Sequence, residues 1–513
     1  MAGASGSSTG VARRLSTQDA GFLYGESRSA PLHIGGVSIF DGEIPFESAL
    51  KYMADRIHLV PRYRQRLLFA PFNLNHAVLL DDPDFKIENH FKRQKLKGST
   101  QAEMLREALD IFEPLLDRGK PLWEIYMLEG LRGRAAMLTK VHHALVDGVS
   151  GMEIQRLTSD FTPEAPPPPP PKEAWSPPPL PSPTEILIGA ARDFFKAQLD
   201  STSRALEELV RSPAEVAQRT NQMVESMQSM ARTFARPIVS TPWNAALISS
   251  RRSVTLCRYP FADFRAIRSA FGGTVNDVVL TILSEAAARY LKYHGYATAG
   301  GEMRIGCPVN VRRPEEQTDL GNRVSIMFPT VPADSLDLEQ RHHRVCAETE
   351  RIKREQLPQT LDRMMDSGNL MPPALIDLMS RMGQVNMDTA SALVRSWNFR
   401  PSPGGPAMAP PGINLMASNV PGFQIPTYFC GRKLIEMLAV FPLSGNIGYG
   451  VGITSYNQQM FLNLTSDPTL LPDLDRMKLH CDEVFEEFRG RALAKLPPGT
   501  VAGATVEAES RHA

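Results

Sequence analysis

A proline-rich run divides the chain and limits what each side of it can fold into. Residues Ala165 to Ser182 have the sequence APPPPPPKEAWSPPPLPS. Because proline lacks a backbone N–H and fixes φ, this run is expected to form neither a helix nor a central strand. The chain has 513 residues, more than the roughly 250 to 300 at which a single core stops growing. We therefore expect two domains, with the proline run as a stiff connector.

The patterns on the two sides of this run predict an α/β (α+β) protein, because stretches with helical spacing and strand-like stretches occur in both. The segment between the domains has apolar and charged residues at helical spacing. Packing against a domain is the favoured interpretation of its apolar positions, and a face lying on a membrane surface is the alternative. The expected segments are a flexible tail (1–14), an N-terminal domain (15–164), the connector (165–183), a helical linker (184–250), a C-terminal domain (251–495) and a second tail (496–513).

Charge and cysteine content exclude several functional classes. Lys plus Arg and Asp plus Glu both number 56, so no net charge favours nucleic-acid binding. The five cysteines are scattered without a C-x-x-C pair, which predicts neither a zinc site nor a disulfide framework. The N-terminal residues lack the apolar core of a secretory signal, so a cytoplasmic location is expected. The uncharged stretches 401–431 and 437–466 are broken by Pro and Gly, which favours buried sheet and active-site wall over a membrane span.

The clearest chemical motif lies at the end of a predicted hairpin. A helix is predicted to begin at the capping box formed by Thr100 and Glu103 and to end before Pro114. Two strand-like runs follow, 122–128 and 134–141, separated by a glycine-containing turn. The motif His142-His143-Ala-Leu-Val-Asp147-Gly148 comes directly after the second run, so the spacing holds a histidine at the turn.

A histidine in this position is suited to acyl transfer. Its pKa near neutrality allows the ring to take the proton of an alcohol that attacks a carbonyl. A second histidine pair, His342-His343, is not followed by Asp-Gly, and we expect it on the surface of a helix. The pattern G-x-S-x-G occurs at residues 6–10 without a strand before it, so no nucleophile elbow is predicted. We therefore expect direct attack in a ternary complex.

Two further features have competing interpretations. Asn276 and Asp277 fall in the first turn of a helix opened by Thr274, where unpaired N–H groups favour an anion such as a developing oxyanion. Capping of the helix is the alternative, and it accounts for Asp277 better than for Asn276. The basic residues Arg56, Arg62, Arg64 and Arg66 are expected to form a solvated face, with contacts to CoA phosphates or to an anionic membrane as the alternatives.

Several segments in a fixed order together resemble the bacterial wax ester synthase/diacylglycerol acyltransferase family, relatives of the CoA-dependent acyltransferases and condensation domains. The resemblance covers almost the whole chain. Its parts are LSTQDAGFLY (15–24), PLHIGG (31–36), Pro121-Leu122-Trp123, HHALVDG (142–148), TVNDVV (274–279), PVNVR (308–312), LGN (320–322), SNVPG (418–422) and Ser455-Tyr456.

The resemblance implies a fold, substrates and residue roles. It implies two chloramphenicol-acetyltransferase-like domains with mixed sheets flanked by helices, and a tunnel between them. Acyl-CoA would enter as a substrate, with no metal or other cofactor, and diacylglycerol, the favoured acceptor, or a long-chain alcohol would accept the acyl group. Because no spanning helix is predicted, a soluble protein or one at the periphery of a membrane or lipid-droplet surface is expected. His143 would be the general base, with His142 supporting it and Asp147 holding the loop. From the residues themselves, Gly148 is expected to shape that loop, Asn276 to lie in the site, Asp277 to be structural, and Trp123 to pack, with lining of the acyl tunnel as its alternative.

Two alternatives remain at this point. A condensation-like acyltransferase would take its acyl group from a carrier-protein thioester and would need a basic docking face. A non-catalytic lipid-droplet binding protein would keep the fold without the chemistry. The histidine pair, Asp147 and Asn276 argue against the second alternative, because a binding protein needs no base in its cleft.

Overall fold

The computed structural model describes residues 13–145, 159–244, 248–310, 324–355, 358 and 412–497. The helices of these ranges are α1 (Thr17–Gly25), α2 (Phe46–Ala54), α3 (Gln101–Phe112), α4 (Pro183–Arg211), α5 (Pro213–Ala235), α6 (Phe261–Phe271), α7 (Val275–Tyr293), α8 (Leu338–Arg354) and α9 (Leu474–Lys495). The strands are β1 (Arg13–Arg14), β2 (His33–Asp41), β3 (Gln65–Leu68), β4 (Val78–Asp81), β5 (Phe91–Lys95), β6 (Trp123–Glu129), β7 (Arg134–His142), β8 (Ser253–Pro260), β9 (Glu302–Asn310), β10 (Val324–Met327), β11 (Thr330–Pro332), β12 (Leu415–Pro421), β13 (Tyr428–Phe429), β14 (Arg432–Val440), β15 (Tyr449–Tyr456) and β16 (Gln459–Ser466).

These strands form two large mixed sheets and one small sheet. The first large sheet has the order β13-β14-β2-β7-β6-β5, and the second has the order β10-β9-β12-β15-β16-β8, with β11 also paired to β9. Parallel pairs, such as β5 with β6 and β12 with β15, occur beside antiparallel ones. The largest hydrophobic core lies between the second sheet and the helices α7 and α9. The predicted mixed α/β class is therefore confirmed.

One strand from the C-terminal part of the chain belongs to the N-terminal sheet. β14 pairs antiparallel with β2, where Leu438 lies opposite Val37. Side chains of the second sheet also hold β14: the Ala439 N–H donates to Asn463 Oδ1 (2.9 Å), and the Tyr456 hydroxyl donates to the Leu434 carbonyl (2.9 Å). The predicted division between residues 164 and 251 therefore separates the chain in sequence, while the first sheet draws on both sides of it.

Gly35 and Gly36 allow β2 to have a neighbour on each edge. Their φ angles are +148° and +154°, a region that side chains disfavour. A Cβ on Gly35 would lie 1.9 Å from the Thr139 carbonyl oxygen of β7, and a Cβ on Gly36 would lie 2.0 Å from the Leu438 oxygen of β14. Both obstacles are backbone atoms, which cannot turn away as a flexible side chain would. The glycines of the PLHIGG segment are therefore required for β2 to sit between β7 and β14.

Several predicted elements are confirmed. α3 begins after Thr100, which forms the predicted capping box with Glu103, and the helix ends before Pro114. The hairpin strands appear as β6 and β7. Residues 165–182 contain neither helix nor strand. The described parts of the two uncharged stretches contribute β12, β13, the end of β14, β15 and β16. Within the described ranges, no helix has the length and apolar character that a membrane span requires.

The prediction that His342-His343 lies on a helix surface is wrong for His342. His342 belongs to α8, and its side chain is buried. Its Nδ1 lies 3.0 Å from the Thr281 hydroxyl, and its Nε2 lies 3.1 Å from the Gly272 carbonyl oxygen. His343 is exposed. The pair therefore straddles the edge of the buried face, and His342 helps to hold α8 against α7.

Substitution of Gly36 tests the close approach of β2 and β14. We expect Gly36→Ala to lower the free energy of unfolding by about 3 kcal/mol or more, because its Cβ meets a backbone oxygen. Gly21→Ala in α1 is the matched control, since nothing lies within 4 Å of its Cβ, and alanine there should be neutral or stabilise by up to about 1 kcal/mol. Urea unfolding measures both. Equal stability of the two variants would contradict this role of Gly36.

Candidate active site

The end of β7 places the histidine pair. β7 ends at His142, which lies opposite His33 of β2. The His143 backbone N–H donates to the Leu32 carbonyl (3.0 Å), and the Leu145 N–H donates to the His142 carbonyl (3.0 Å), closing a turn. The two histidines therefore leave the strand at a fixed point, and their side chains have different surroundings.

His142 is completely buried, and both of its ring nitrogens face protein atoms. Nδ1 accepts a hydrogen bond from the Ala144 N–H (3.0 Å). A neutral imidazole that accepts at one nitrogen carries its proton on the other, which places the proton on Nε2. Nε2 lies 3.3 Å from Glu26 Oε1. His142 is thus oriented by the protein on both sides of its ring, which suits a supporting role.

Glu26 is the buried carboxylate behind this ring. Its oxygens also accept from the Leu32 N–H (3.2 Å) and from Arg118 (3.0 Å). Burial by itself raises the pKa of Glu26, but the hydrogen bonds from His142 and Arg118 and the positive charge of Arg118 outweigh it and bring the pKa from 4.5 to about 2. Glu26 is therefore ionised at neutral pH, and it joins the turn after β7 to α1 and to the segment before β2.

His143 is half-buried at the first position of the turn. Its ring stacks on Phe22 of α1, with the centroids 3.8 Å apart and the planes 8° from parallel. Arg62 donates to the Leu145 carbonyl (2.9 Å), two residues further along the turn. The stacking fixes the plane of the imidazole, and the arginine fixes the backbone that follows it.

Two further residues of β2 and β7, His33 and Lys140, have structural contacts. His33 is buried, its Nε2 lies 2.6 Å from the Phe112 carbonyl oxygen, and burial followed by the charge of Lys140 lowers its pKa to about 3. Burial lowers the pKa of Lys140 to about 8, and its ammonium group donates to the carbonyls of Ile111 and Pro114. His33 therefore stays neutral, and both side chains tie the end of α3 to the sheet.

The remaining predicted site residues are Trp123, Asp277, Asn276, Asp147 and Gly148, and each is described by its own surroundings. Trp123 is buried, and its indole N–H donates to the Tyr63 carbonyl (2.8 Å), so it is a core residue. Asp277 is buried and accepts from Thr274 and from the Thr349 hydroxyl (2.8 Å), so it caps α7 and joins it to α8. Asn276 is half-buried in the first turn of α7. Asp147 and Gly148 lie outside the described residues.

The prediction of a solvated basic face is wrong for Arg56. This arginine is buried, pairs with Asp160 (3.0 Å) and lies 3.4 Å from the centre of the Tyr52 ring. Arg62 contacts the active-site turn, Arg64 lies over the ring of Trp175 at 4.8 Å, and Arg66 pairs with Asp82 (3.5 Å). The four arginines therefore serve different contacts within the fold.

Glu26, Phe22 and Arg118 are the residues at the site that sequence reasoning missed, and Arg62 was expected on a solvated basic face. Phe22 lies inside the LSTQDAGFLY segment, and Glu26 follows that segment by two residues. An acidic residue between two such segments was an available signal for a buried carboxylate. Arg118 lies in a turn and Arg62 in a short 3-10 helix (Pro61–Arg64), and their contacts at the site depend on the tertiary structure.

Replacement of Glu26 by glutamine tests the buried carboxylate through its pH dependence. Because folding lowers its pKa, the stabilisation is complete above pH 4.5 and is lost as the pH falls towards about 2. That gap corresponds to about 3 kcal/mol at neutral pH. We expect Glu26→Gln to lose about this amount at pH 7 and about half of it at pH 3, as measured by chemical denaturation. A difference that does not change with pH, or an equal loss in the exposed control Glu88→Gln, would contradict this role.

Comparison with known proteins gives a consistent result across the chain. Residues 15–279 match the model of the wax ester synthase/diacylglycerol acyltransferase catalytic domain, and residues 320–489 match the model of the C-terminal domain of the same family. A provisionally named diacylglycerol O-acyltransferase of Mycobacterium tuberculosis is 30% identical over 500 residues, covering 96% of this chain and all of the relative. An O-acyltransferase of Acinetobacter baylyi is 27% identical over 476 residues, covering 91% and 95%.

Solved structures show the same fold. A wax ester synthase/diacylglycerol acyltransferase from Marinobacter aquaeolei VT8 superposes with a TM-score of 0.59 at 22% identity, covering 94% of this chain and all of that one. A starter condensation domain of rhizomide synthetase, in complex with C8-CoA and Leu-SNAC, superposes with a TM-score of 0.55 at 12% identity, covering 96% and 97%. These similarities confirm the predicted relation to both kinds of protein at the level of the fold.

Proposed function

This chain belongs to the wax ester synthase/diacylglycerol acyltransferase family, and we propose that it transfers a fatty acyl group from acyl-CoA to diacylglycerol, forming triacylglycerol. Long-chain alcohols are the alternative acceptors and would give wax esters. The single observation that carries the assignment of roles is the asymmetry of the histidine pair. The ring of His142 is held by Ala144 and Glu26, whereas His143 is half-buried and stacked on Phe22.

In the proposed reaction His143 acts as the general base. The alcohol oxygen loses its proton to the imidazole and attacks the thioester carbonyl carbon, whose oxygen becomes an oxyanion. When this intermediate collapses, the carbon–sulfur bond breaks, and the imidazolium returns the proton to the CoA thiolate. Ester and free CoA are the products, and no covalent acyl-enzyme forms. The stacked Phe22 would hold the ring plane, and Asn276 is proposed as a donor to the oxyanion.

The relatives support this choice of donor and acceptor. The names of the mycobacterial and Acinetobacter relatives refer to O-acyl transfer, the former to diacylglycerol, and the rhizomide starter condensation domain was solved with C8-CoA. Both proposed acceptors dissolve poorly in water. The protein is therefore proposed to work at the surface of a membrane or lipid inclusion. A carrier-protein thioester remains the competing donor, because the condensation domain has the same fold.

His143→Ala tests the proposed base. Labelled palmitoyl-CoA is supplied with either dioleoylglycerol or hexadecanol, and labelled ester and free CoA are measured. We expect the wild type to make ester and the variant to react about 10²- to 10⁴-fold more slowly, as is usual when a general base is removed. The matched control is His343→Ala, which removes an exposed histidine from the other pair and should leave the rate unchanged.

Other outcomes of this experiment would change the assigned base, donor or acceptor. A folded His143→Ala variant with wild-type activity would exclude His143 as the base. A wild type that releases no CoA with either acceptor, but transfers a palmitoyl group from a carrier protein, would favour the condensation-like alternative. The acceptor that gives the higher kcat/KM decides between triacylglycerol and wax ester as the main product.

A further inference from the structure

The side of α4 that faces away from the protein is apolar. The helix docks through the other side, where Ala190 is completely buried and its carbonyl accepts from the Asn75 amide (3.1 Å). Asp193, close to that side, pairs with Arg14 (2.7 Å). The exposed apolar residues, here called the outer stripe, are Ile188 (63% exposed), Phe195 (65%), Leu199 (69%), Leu206 (59%) and Val210 (80%).

The spacing of the outer stripe makes it one continuous surface. At about 100° per residue, its five positions fall within an arc of roughly 60°, which also contains the exposed Arg192, and Ala190 lies almost opposite. The stripe extends over about 33 Å, because a helix rises about 1.5 Å per residue. A helix that only packs on a protein has polar residues on its outward face. Among its described side chains, α4 buries only Ala190 and half-buries neighbouring positions as far as Ser201, so the exposed apolar stripe requires a separate explanation.

The area of the stripe argues against a second copy of the chain as its partner. Five partly exposed side chains of this size present on the order of 500 Å² of apolar surface, comparable with the largest patch on a typical monomer. A stable protein interface buries about 800 Å² on each partner. An apolar face of this width and length is instead typical of helices that lie in a lipid surface.

The charges of α4 indicate which lipid surface it suits. Between residues 183 and 211 the sequence has four Lys or Arg and five Asp or Glu. Helices that bind anionic membranes are rich in Lys and Arg on the polar face, and α4 has no such excess. Its contact with lipid would therefore depend on apolar burial and not on attraction to acidic headgroups.

We propose that the outer stripe of α4 inserts into a lipid surface without net charge, such as one formed by phosphatidylcholine and diacylglycerol, and so brings the protein to its acceptor. The inference rests on the proposed function for the identity of that acceptor. The helix immediately follows the proline-rich connector, whose Trp175 is anchored by its indole N–H on Asp81 (3.2 Å) and by an edge contact with Phe85. α4 is thus held to the N-terminal half on its inner side while its outer side faces away.

A triple variant tests the stripe in the full-length protein. Phe195→Ser, Leu199→Ser and Leu206→Ser are combined, and the control combines Lys196→Ser, Asp200→Ser and Glu207→Ser, exposed polar positions of the same helix. Flotation with phosphatidylcholine vesicles containing dioleoylglycerol measures binding. Esterification of butanol, which is dispersed in water, reports whether the fold and the site are intact. We expect the stripe variant to bind vesicles at least tenfold more weakly and to keep its rate with butanol, while the control behaves as wild type in both assays.

The inference and the proposed function can fail separately. Equal flotation of the stripe variant and the wild type, or flotation that requires phosphatidylserine or disappears in 0.5 M salt, would overturn the inference. A wild-type dimer that becomes monomeric in the stripe variant would assign the stripe to a second copy. If no protein makes ester but flotation depends on the stripe as expected, the lipid contact stands and the acyltransferase proposal fails. If the stripe variant is inactive with butanol, circular dichroism shows whether it has unfolded. The single variant Leu199→Ser then replaces it and is expected to bind vesicles severalfold more weakly than the wild type. Flotation of Leu199→Ser equal to that of the wild type would overturn the inference.

Discussion

The backbones of three strands approach one another closely at Gly35 and Gly36, and this contact joins the strand that carries the histidine pair to a strand from the C-terminal part of the chain. β2 lies between β7, which carries the histidine pair at its end, and β14, which comes from the C-terminal part of the chain. A side chain at either glycine would collide with a carbonyl oxygen of a neighbouring strand. Asn463 and Tyr456 of the second sheet then hold β14 from the other direction. The position of the histidines is thereby linked to both sheets.

Burial gives the two adjacent histidines different roles. A strand end projects successive side chains to opposite sides, so one ring of the pair turns inward and the other lies at the turn. The inward ring, His142, meets an ionised carboxylate whose own burial is offset by Arg118. A buried carboxylate is costly to desolvate unless it is paired and hydrogen-bonded, and Glu26 here defines the orientation of the neutral His142 ring. This desolvation cost arises where the turn that follows β7 needs a fixed position.

The sequence predicts local features of this protein well and long-range ones poorly. The capping boxes at Thr100 and Thr274 and the β6–β7 hairpin depend on neighbouring residues, and the structure contains them. The insertion of β14 depends on pairing with a strand about 400 residues earlier, for which a local pattern has no signal.

The incorrect predictions have a related cause. The charge of Arg56 suggested exposure, but its partner Asp160 is 104 residues away. His342 was predictable in part, because it follows Leu338 by four residues and precedes Val345 by three, and both are buried. The motif with its following Asp147 identifies the candidate site, whereas the contact between Glu26 and His142 emerges only from the folded arrangement.

The most direct test of the account is a crystal structure of the protein with a non-reactive thioether analogue of palmitoyl-CoA and hexadecanol. The central claim is that His143, and not His142, reaches the alcohol. We predict an alcohol oxygen about 2.6 to 3.2 Å from a ring nitrogen of His143, with His142 still between Ala144 and Glu26. An alcohol oxygen bound to His142, or one beyond hydrogen-bond reach of His143 with both ligands in place, would contradict it.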